Sequence, residues 1–313
     1  MEASATTPRP ARPAFGSRDA LLIAGGVLFA TGAIVLFIRK GTDWADFPLL
    51  LVVGVPFVLL YGLGVSGRSS TELEPWRVAL IVIGIVLAPL ALAQLRDTLG
   101  LSDDSSFWIF VIFGLTAALA GHASFVVGSA YAAFLMAVAG LVAWLALWDW
   151  ILDDPGTNTL RWLLIVIGVA YLALAYSLRG GAPQEPEVVT AAGIAGVVAC
   201  VIGVAESGIQ AVVGVGVVPG GGEGQSVFWD ALLLLISLAL VAYAALRPAR
   251  GPAYVGFAGL LAFALITGAQ VSSLIEGDEP DQSIVGWPLL LLLAGGAALA
   301  VGAGAAGARS RSR

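Results

Sequence analysis

The sequence predicts an all-α, polytopic integral membrane protein with about ten transmembrane helices, and three observations predict it. Ten apolar stretches fill the chain between Ala20 and Ala306, each near the length of roughly 20 residues that a helix needs to cross about 30 Å of hydrocarbon. Almost every charged residue falls in the short gaps between those stretches. Hydrophobic residues make up 59% of the chain and charged residues only 12%, with a mean hydropathy of +0.95, whereas a soluble domain is about a quarter charged. In lipid a segment must satisfy its own backbone polar groups, which is why such stretches are expected to be helical.

Residues 1–18 are expected to form a cytoplasmic tail, 19–306 the membrane domain and 307–313 a basic cytoplasmic tail. The first span, Ala20 to Ile38, lies between Arg18 and Arg39-Lys40, and no small-residue cleavage site follows the Pro- and Arg-containing tail, so it reads as a retained helix. The second (Phe47 to Val65) and third (Arg77 to Leu95) carry Pro56 and Pro89, each expected to kink its helix. The fourth (Ser105 to Gly121) and fifth (Ser124 to Leu147) are expected to flank a tight turn holding His122, the sole histidine. The sixth runs from Thr159 to Leu178. The seventh, Val188 to Ala205, carries a ladder of small residues (Ala192, Gly196, Cys200, with Ala195, Ala199 and Gly203 beside it) that suits close helix packing in lipid. Ser207 to Val218 is apolar too, but twelve residues reach only about 18 Å as a helix; a re-entrant or interfacial segment is expected there. The eighth (Phe228 to Leu246), ninth (Ala253 to Ile275) and Gly/Ala-rich tenth (Ile284 to Ala306) complete the set.

Orientation follows from the basic residues. With the N-terminus inside and ten spans, eleven of the fifteen Arg and Lys are cytoplasmic and four (Arg39, Lys40, Arg96, Arg161) are external. Counting Ser207 to Val218 as an eleventh span would turn Arg247, Arg250 and the three C-terminal Arg outward and reverse that balance. Seven tryptophans (Trp44, Trp108, Trp148, Trp150, Trp162, Trp229, Trp287) then fall at the outer interface and Trp76 at the inner one, an aromatic belt. One Lys against fourteen Arg suggests a GC-rich genome, and the expected location is a bacterial plasma (inner) membrane.

The chain also reads as a parallel internal repeat of two plus four plus four spans, with units at about 74–184 and 185–306. Glu74-Pro75 matches Glu185-Pro186, Ser105-x-Phe107-Trp108 matches Ser226-x-Phe228-Trp229, and Asp153-Asp154-Pro155 matches Asp278-Glu279-Pro280, with Trp162 and Trp287 following at one offset. Phe47-Pro48-Leu49-Leu50-Leu51 reads like Trp287-Pro288-Leu289-Leu290-Leu291, so the first two spans resemble the last pair of each unit.

Most enzymatic constellations are excluded by absence. One His and one Cys allow neither a two-His zinc helix nor a cysteine metal site within one chain, and no ionisable residue sits at mid-span as a proton or ion relay needs. Gly64-Val65-Ser66-Gly67 resembles the GxSG of rhomboid proteases, whose serine pairs with a histidine; here Ser66 and His122 are both interfacial and the family's other surroundings are missing. Ten spans in about 300 residues is similar in size to drug/metabolite-type transporters, whose repeats are five plus five and inverted, a different organisation. No catalytic residue, metal or cofactor is expected. The candidate site is a polar vestibule near the outer third, formed by Gln94, Arg96, Glu206, Gln210 and Gln270, with Arg96 and Glu206 at nearly equivalent places in the two repeats. The expected function is a permease-like protein for a neutral or amphipathic small molecule, or else a scaffold or accessory subunit of a membrane complex. The expected partners are the lipid bilayer and a second copy or a complex subunit, with no nucleic acid.

Overall fold

The computed structural model describes residues 17–66, 74–101, 105–179, 182–212, 227–247 and 249–275, and among them every regular element is an α-helix. These helices are α1 (Ser17–Lys40), α2 (Asp46–Val65), α3 (Pro75–Thr98), α4 (Ser106–Val127), α5 (Ala130–Leu152), α6 (Thr157–Ser177), α7 (Glu185–Val212), α8 (Val227–Leu246) and α9 (Arg250–Ile275). Eight of them, α1 to α8, are long and apolar enough to cross a membrane. Large apolar side chains cover their outer faces, Leu28, Phe125 and Leu246 among them, an arrangement that lipid rather than water accommodates. The expected tenth span lies outside the described residues. The chain divides into two compact units, residues 1–146 and 147–313.

In the first unit α2 and α3 form a tight antiparallel pair, and the sequence shows how. Gly84 of α3 lies against the backbone of Tyr61, where a Cβ would stand 2.9 Å from the Tyr61 nitrogen; Gly64 of α2 meets Ile81 and the Arg77 carbonyl in the same way. Association in lipid depends on such close contact because burying apolar surface from lipid gains little. Polar side chains of α3 then fasten both ends of α2. Arg77, 6% exposed, donates from Nε to the Gly64 carbonyl (3.0 Å) and from Nη2 to the Val65 carbonyl (3.3 Å). A cation there satisfies orphan carbonyls at the negative end of the α2 dipole. Gln94, 5% exposed, donates from Nε2 to the Asp46 carboxylate (3.3 Å) and carbonyl (3.4 Å) at the other end. Helix α1 packs over the pair through Ala30, Leu60, Leu80 and Leu87, and α4 lies along α3 through Ala120 and Ala123 against Ile81 and Ile85. Pro56 and Pro89 sit inside helices that continue past them.

The turn between α4 and α5 departs from expectation. His122 is inside α4, which runs on to Val127, and the break comes at Gly128 (φ 70°), whose N–H bonds the Ser124 carbonyl at 2.9 Å. Ser129 Oγ then accepts from the Ala132 N–H, at 3.3 Å, and starts α5. Gly-Ser supplies a left-handed stop followed by a cap, whereas the polar residues His122 and Ser124 are tolerated within the helix. Trp229, near the start of α8, is 5% exposed and packed with Cys200, Leu233 and Ile266 in a core cluster, so its ring is covered by protein.

In the second unit α7 is the central helix, packed on α6, α8 and α9. Its small residues are used internally: Ala192, Ala195, Ala199 and Cys200 are buried. Gly193 and Gly196 admit Leu240 and Ile236 of α8, and Gly168 of α6 meets Ala192 and Ala195. Helices α7 and α8 are antiparallel, since Glu185 at the start of α7 meets Tyr243 and Arg247 at the end of α8, while Cys200 meets Trp229 near the other end. α7 also runs past Ala205 to Val212, so the first half of the segment expected to be re-entrant or interfacial is continuous helix; residues 213–226 lie outside the described residues. Nothing between Ala205 and Val212 breaks a helix, as Gly208 is tolerated singly.

Candidate functional site

The second unit contains a groove that runs along three helices. α7 forms its floor with Val189, Ala192, Gly193 and Gly196, a stripe at i, i+3, i+4 and i+7 that presents one face of the helix. Because that stripe is small, the larger side chains of α6 (Ile165, Val169, Leu172) and α8 (Leu232, Ile236, Leu240) stand above it as walls. The cavity measures about 700 Å³, within the usual range for a small-molecule site. Trp162 and Tyr176 both line it, and the helix between them spans roughly 21 Å at 1.5 Å per residue.

The two ends differ in chemistry. At the first, Trp162 and Phe228 approach across the groove with ring centroids 6.5 Å apart, and Trp229 stands edge-on to Trp162 at 5.7 Å. The Arg161 guanidinium lies 5.0 Å from the Trp229 ring, a cation–π contact. This end is closed by aromatic surface. The opposite end is polar. Glu185, 5% exposed, accepts from the Tyr243 hydroxyl at 3.2 Å and from Arg247 Nη1 at 3.5 Å. Its carboxylate sits at the positive end of α7 and Arg247 at the negative end of α8, so both charges agree with the helix dipoles. Arg179 stacks on the Tyr176 ring at 4.0 Å. Among the described residues no carboxylate pairs with it. Such a groove can seat a molecule with an apolar body and a polar end, and Tyr243, Arg179 and Tyr176 are the groups that would meet the polar part.

The residues singled out in the sequence lie elsewhere. Gln94 fastens α3 to α2 as described, and Arg96 bonds its neighbour Asp97, Nε at 2.8 Å and Nη2 at 2.6 Å. Glu206 and Gln210 are on α7 and Gln270 on α9, but their side chains lie outside the described residues. His122, on α4, places Nδ1 2.9 Å from the Tyr61 hydroxyl of α2, and that hydroxyl donates to the Leu119 carbonyl at 3.0 Å. Ser66 Oγ donates to the Leu63 carbonyl at 3.4 Å. Among the described residues no three His, Cys, Asp or Glu side chains come together as metal ligands.

Sequence reasoning missed the polar end of the groove because it weighed Glu185 as a repeat match and Arg179 as a topology signal, and passed over Tyr243. A usable signal was present: Tyr176, Arg179, Glu185, Tyr243 and Arg247 all fall at one predicted membrane face, at the ends of three consecutive spans. No protein-family model, curated protein or solved structure matches this chain.

Proposed function

We propose that this chain is a ten-span plasma-membrane protein with both termini cytoplasmic, acting as a permease-like protein for a neutral or amphipathic small molecule, with no catalytic step. The observation that carries the reading is the groove over α7, which extends roughly 21 Å along the helices and so exceeds half of a hydrocarbon core about 30 Å thick. A cavity confined to the headgroup region would not serve a carrier, and a groove of this length supports one.

The proposed repeat gives the groove a second line of support. Within the second structural unit its walls come from both proposed repeats, α6 from 74–184 and α7 with α8 from 185–306, and carriers commonly place their sites where repeats meet. The Trp108–Trp229 match puts His122 in register with Tyr243, and the Phe47–Trp162 correspondence puts Tyr61 in register with Tyr176. One helix trio is therefore bridged from α2 to α4 by Tyr61 and His122, while in the other Tyr243 bonds Glu185 instead. The trios share antiparallel neighbours, but α8 packs along α9 whereas α4 meets α5 near their turn, a difference that weighs against the repeat at that point.

The test is to purify the protein in a mild detergent, identify co-purifying small molecules by mass spectrometry, and measure their flux in proteoliposomes. Ala239→Trp, which adds bulk at an exposed groove position, should lose both the bound compound and the flux. A second reading, as a scaffold or accessory subunit, is favoured by Gly25 and Gly32 of α1, where a Cβ would meet nothing within 4 Å, two notches beside the exposed Leu28 and Phe29 where a partner helix could approach. Specific co-purification of another membrane protein, abolished by Gly25→Leu with Gly32→Leu and accompanied by no small molecule, would decide for it.

A further inference from the structure

We infer that the groove over α7 takes a single-chain amphiphile with an anionic headgroup, the chain lying between α6 and α8 and the headgroup meeting Arg179. This rests on the groove being the substrate site proposed above, and it names the substrate class. The argument is one of charge and shape. At the polar end Glu185 is already compensated by Tyr243 and Arg247, so its charge makes little demand on an incoming group. Arg179 is different: it is exposed, lies over the Tyr176 ring at 4.0 Å, and pairs with no described carboxylate. Stacking fixes the plane of the guanidinium and leaves its N–H groups for an acceptor, and a planar fork suits carboxylate or phosphate oxygens. From that point the groove continues as apolar wall and small-residue floor to Trp162 and Phe228. A long unbranched chain fits such a path, while a compact polar solute would leave most of it unfilled.

Two headgroup chemistries share this description, a carboxylate and a phosphate monoester. Binding of radiolabelled oleate, oleoyl lysophosphatidate and monoolein to the detergent-solubilised protein compares anionic and neutral heads on one tail. Both anions should bind, the tighter one identifying the headgroup, and monoolein should bind at least tenfold more weakly. Arg179→Gln should weaken anion binding about tenfold, as loss of a charge-assisted hydrogen bond implies, with Arg179→Lys intermediate; Ala239→Trp should abolish it. Equal binding of all three lipids, or no effect of Arg179→Gln, would overturn the inference. So would an absence of binding to the wild-type protein, the outcome if residues 284–306 or a second copy fill the groove. The readout is binding and not flux: a protein that binds the anions without moving them would keep this inference and remove the carrier reading.

Discussion

Arg77 illustrates how much a single side chain decides when no water is near. Removing its guanidinium leaves the Gly64 and Val65 carbonyls, the last of α2, without these donors. Arg77→Met keeps the aliphatic stem, so the loss is polar, and it should destabilise the detergent-solubilised protein by about 1–3 kcal/mol. Lys40→Met is the comparison, because the Lys40–Asp43 pair (3.1 Å) is exposed and such pairs contribute less than about 1 kcal/mol. Thermal unfolding of both variants checks the difference, and equal shifts would show that Arg77 does not fasten α2. The sequence marked Arg77 as a basic residue at one membrane face and Gln94 as a polar residue near the opposite one, and the two do stand near opposite ends of α3. That each side chain turns back onto α2 depends on the closeness of two backbones, a property of the folded pair.

At the scale of the helix, glycine decides where two elements can touch, and position matters more than composition. Gly84 and Gly114 are both helical, yet a methyl group at Gly84 would strike the Tyr61 backbone at 2.9 Å while one at Gly114 meets nothing within 4 Å. Gly84→Ala should therefore separate α2 from α3 and destabilise by about 1–3 kcal/mol. Gly114→Ala should be neutral or stabilising by up to about 1 kcal/mol, the intrinsic preference of a helix for alanine. Melting temperatures of the two variants test this, and a stabilising Gly84→Ala would mean the pair is looser than described. The eight membrane-length helices among the described residues were legible because each is a long apolar run, but their ends were less so. The break between α4 and α5 sits at Gly128-Ser129 and not at His122 because polarity does not stop a helix, whereas a positive φ with a following cap does. The groove was hidden for a related reason: the small-residue ladder of α7 was visible in the sequence, and its described members are all buried, but that Ala192 and Gly196 lie at the bottom of a groove depends on how far α6 and α8 stand apart above them.

For the whole molecule the strongest remaining expectation is orientation, and the structure bears on it through one pair of helices. Had the chain crossed the membrane once more between α7 and α8, the two would run parallel; contacts of Glu185 with Tyr243 and Arg247 make them antiparallel. Two antiparallel crossings return the chain to the face it left, which keeps Arg179, Arg247 and Arg250 on one face, the face that the expected eleven-to-four division of Arg and Lys assigns to the cytoplasm. A reporter fused within Arg247 to Pro252 or after Arg313 should read cytoplasmic, and one placed within Gly220 to Gly224 external. The same arrangement would open the charged mouth of the groove toward the inner leaflet, so an anionic amphiphile would enter from the cytoplasmic side with Arg179 as its first fixed contact. An impermeant thiol reagent applied to intact cells should therefore leave Arg179→Cys unlabelled, in a background where Cys200 is replaced by Ala, and label it only after the membrane is opened. Labelling from outside would place this mouth in the opposite leaflet, reverse the predicted direction of entry, and show that the positive residues of this chain do not set its topology.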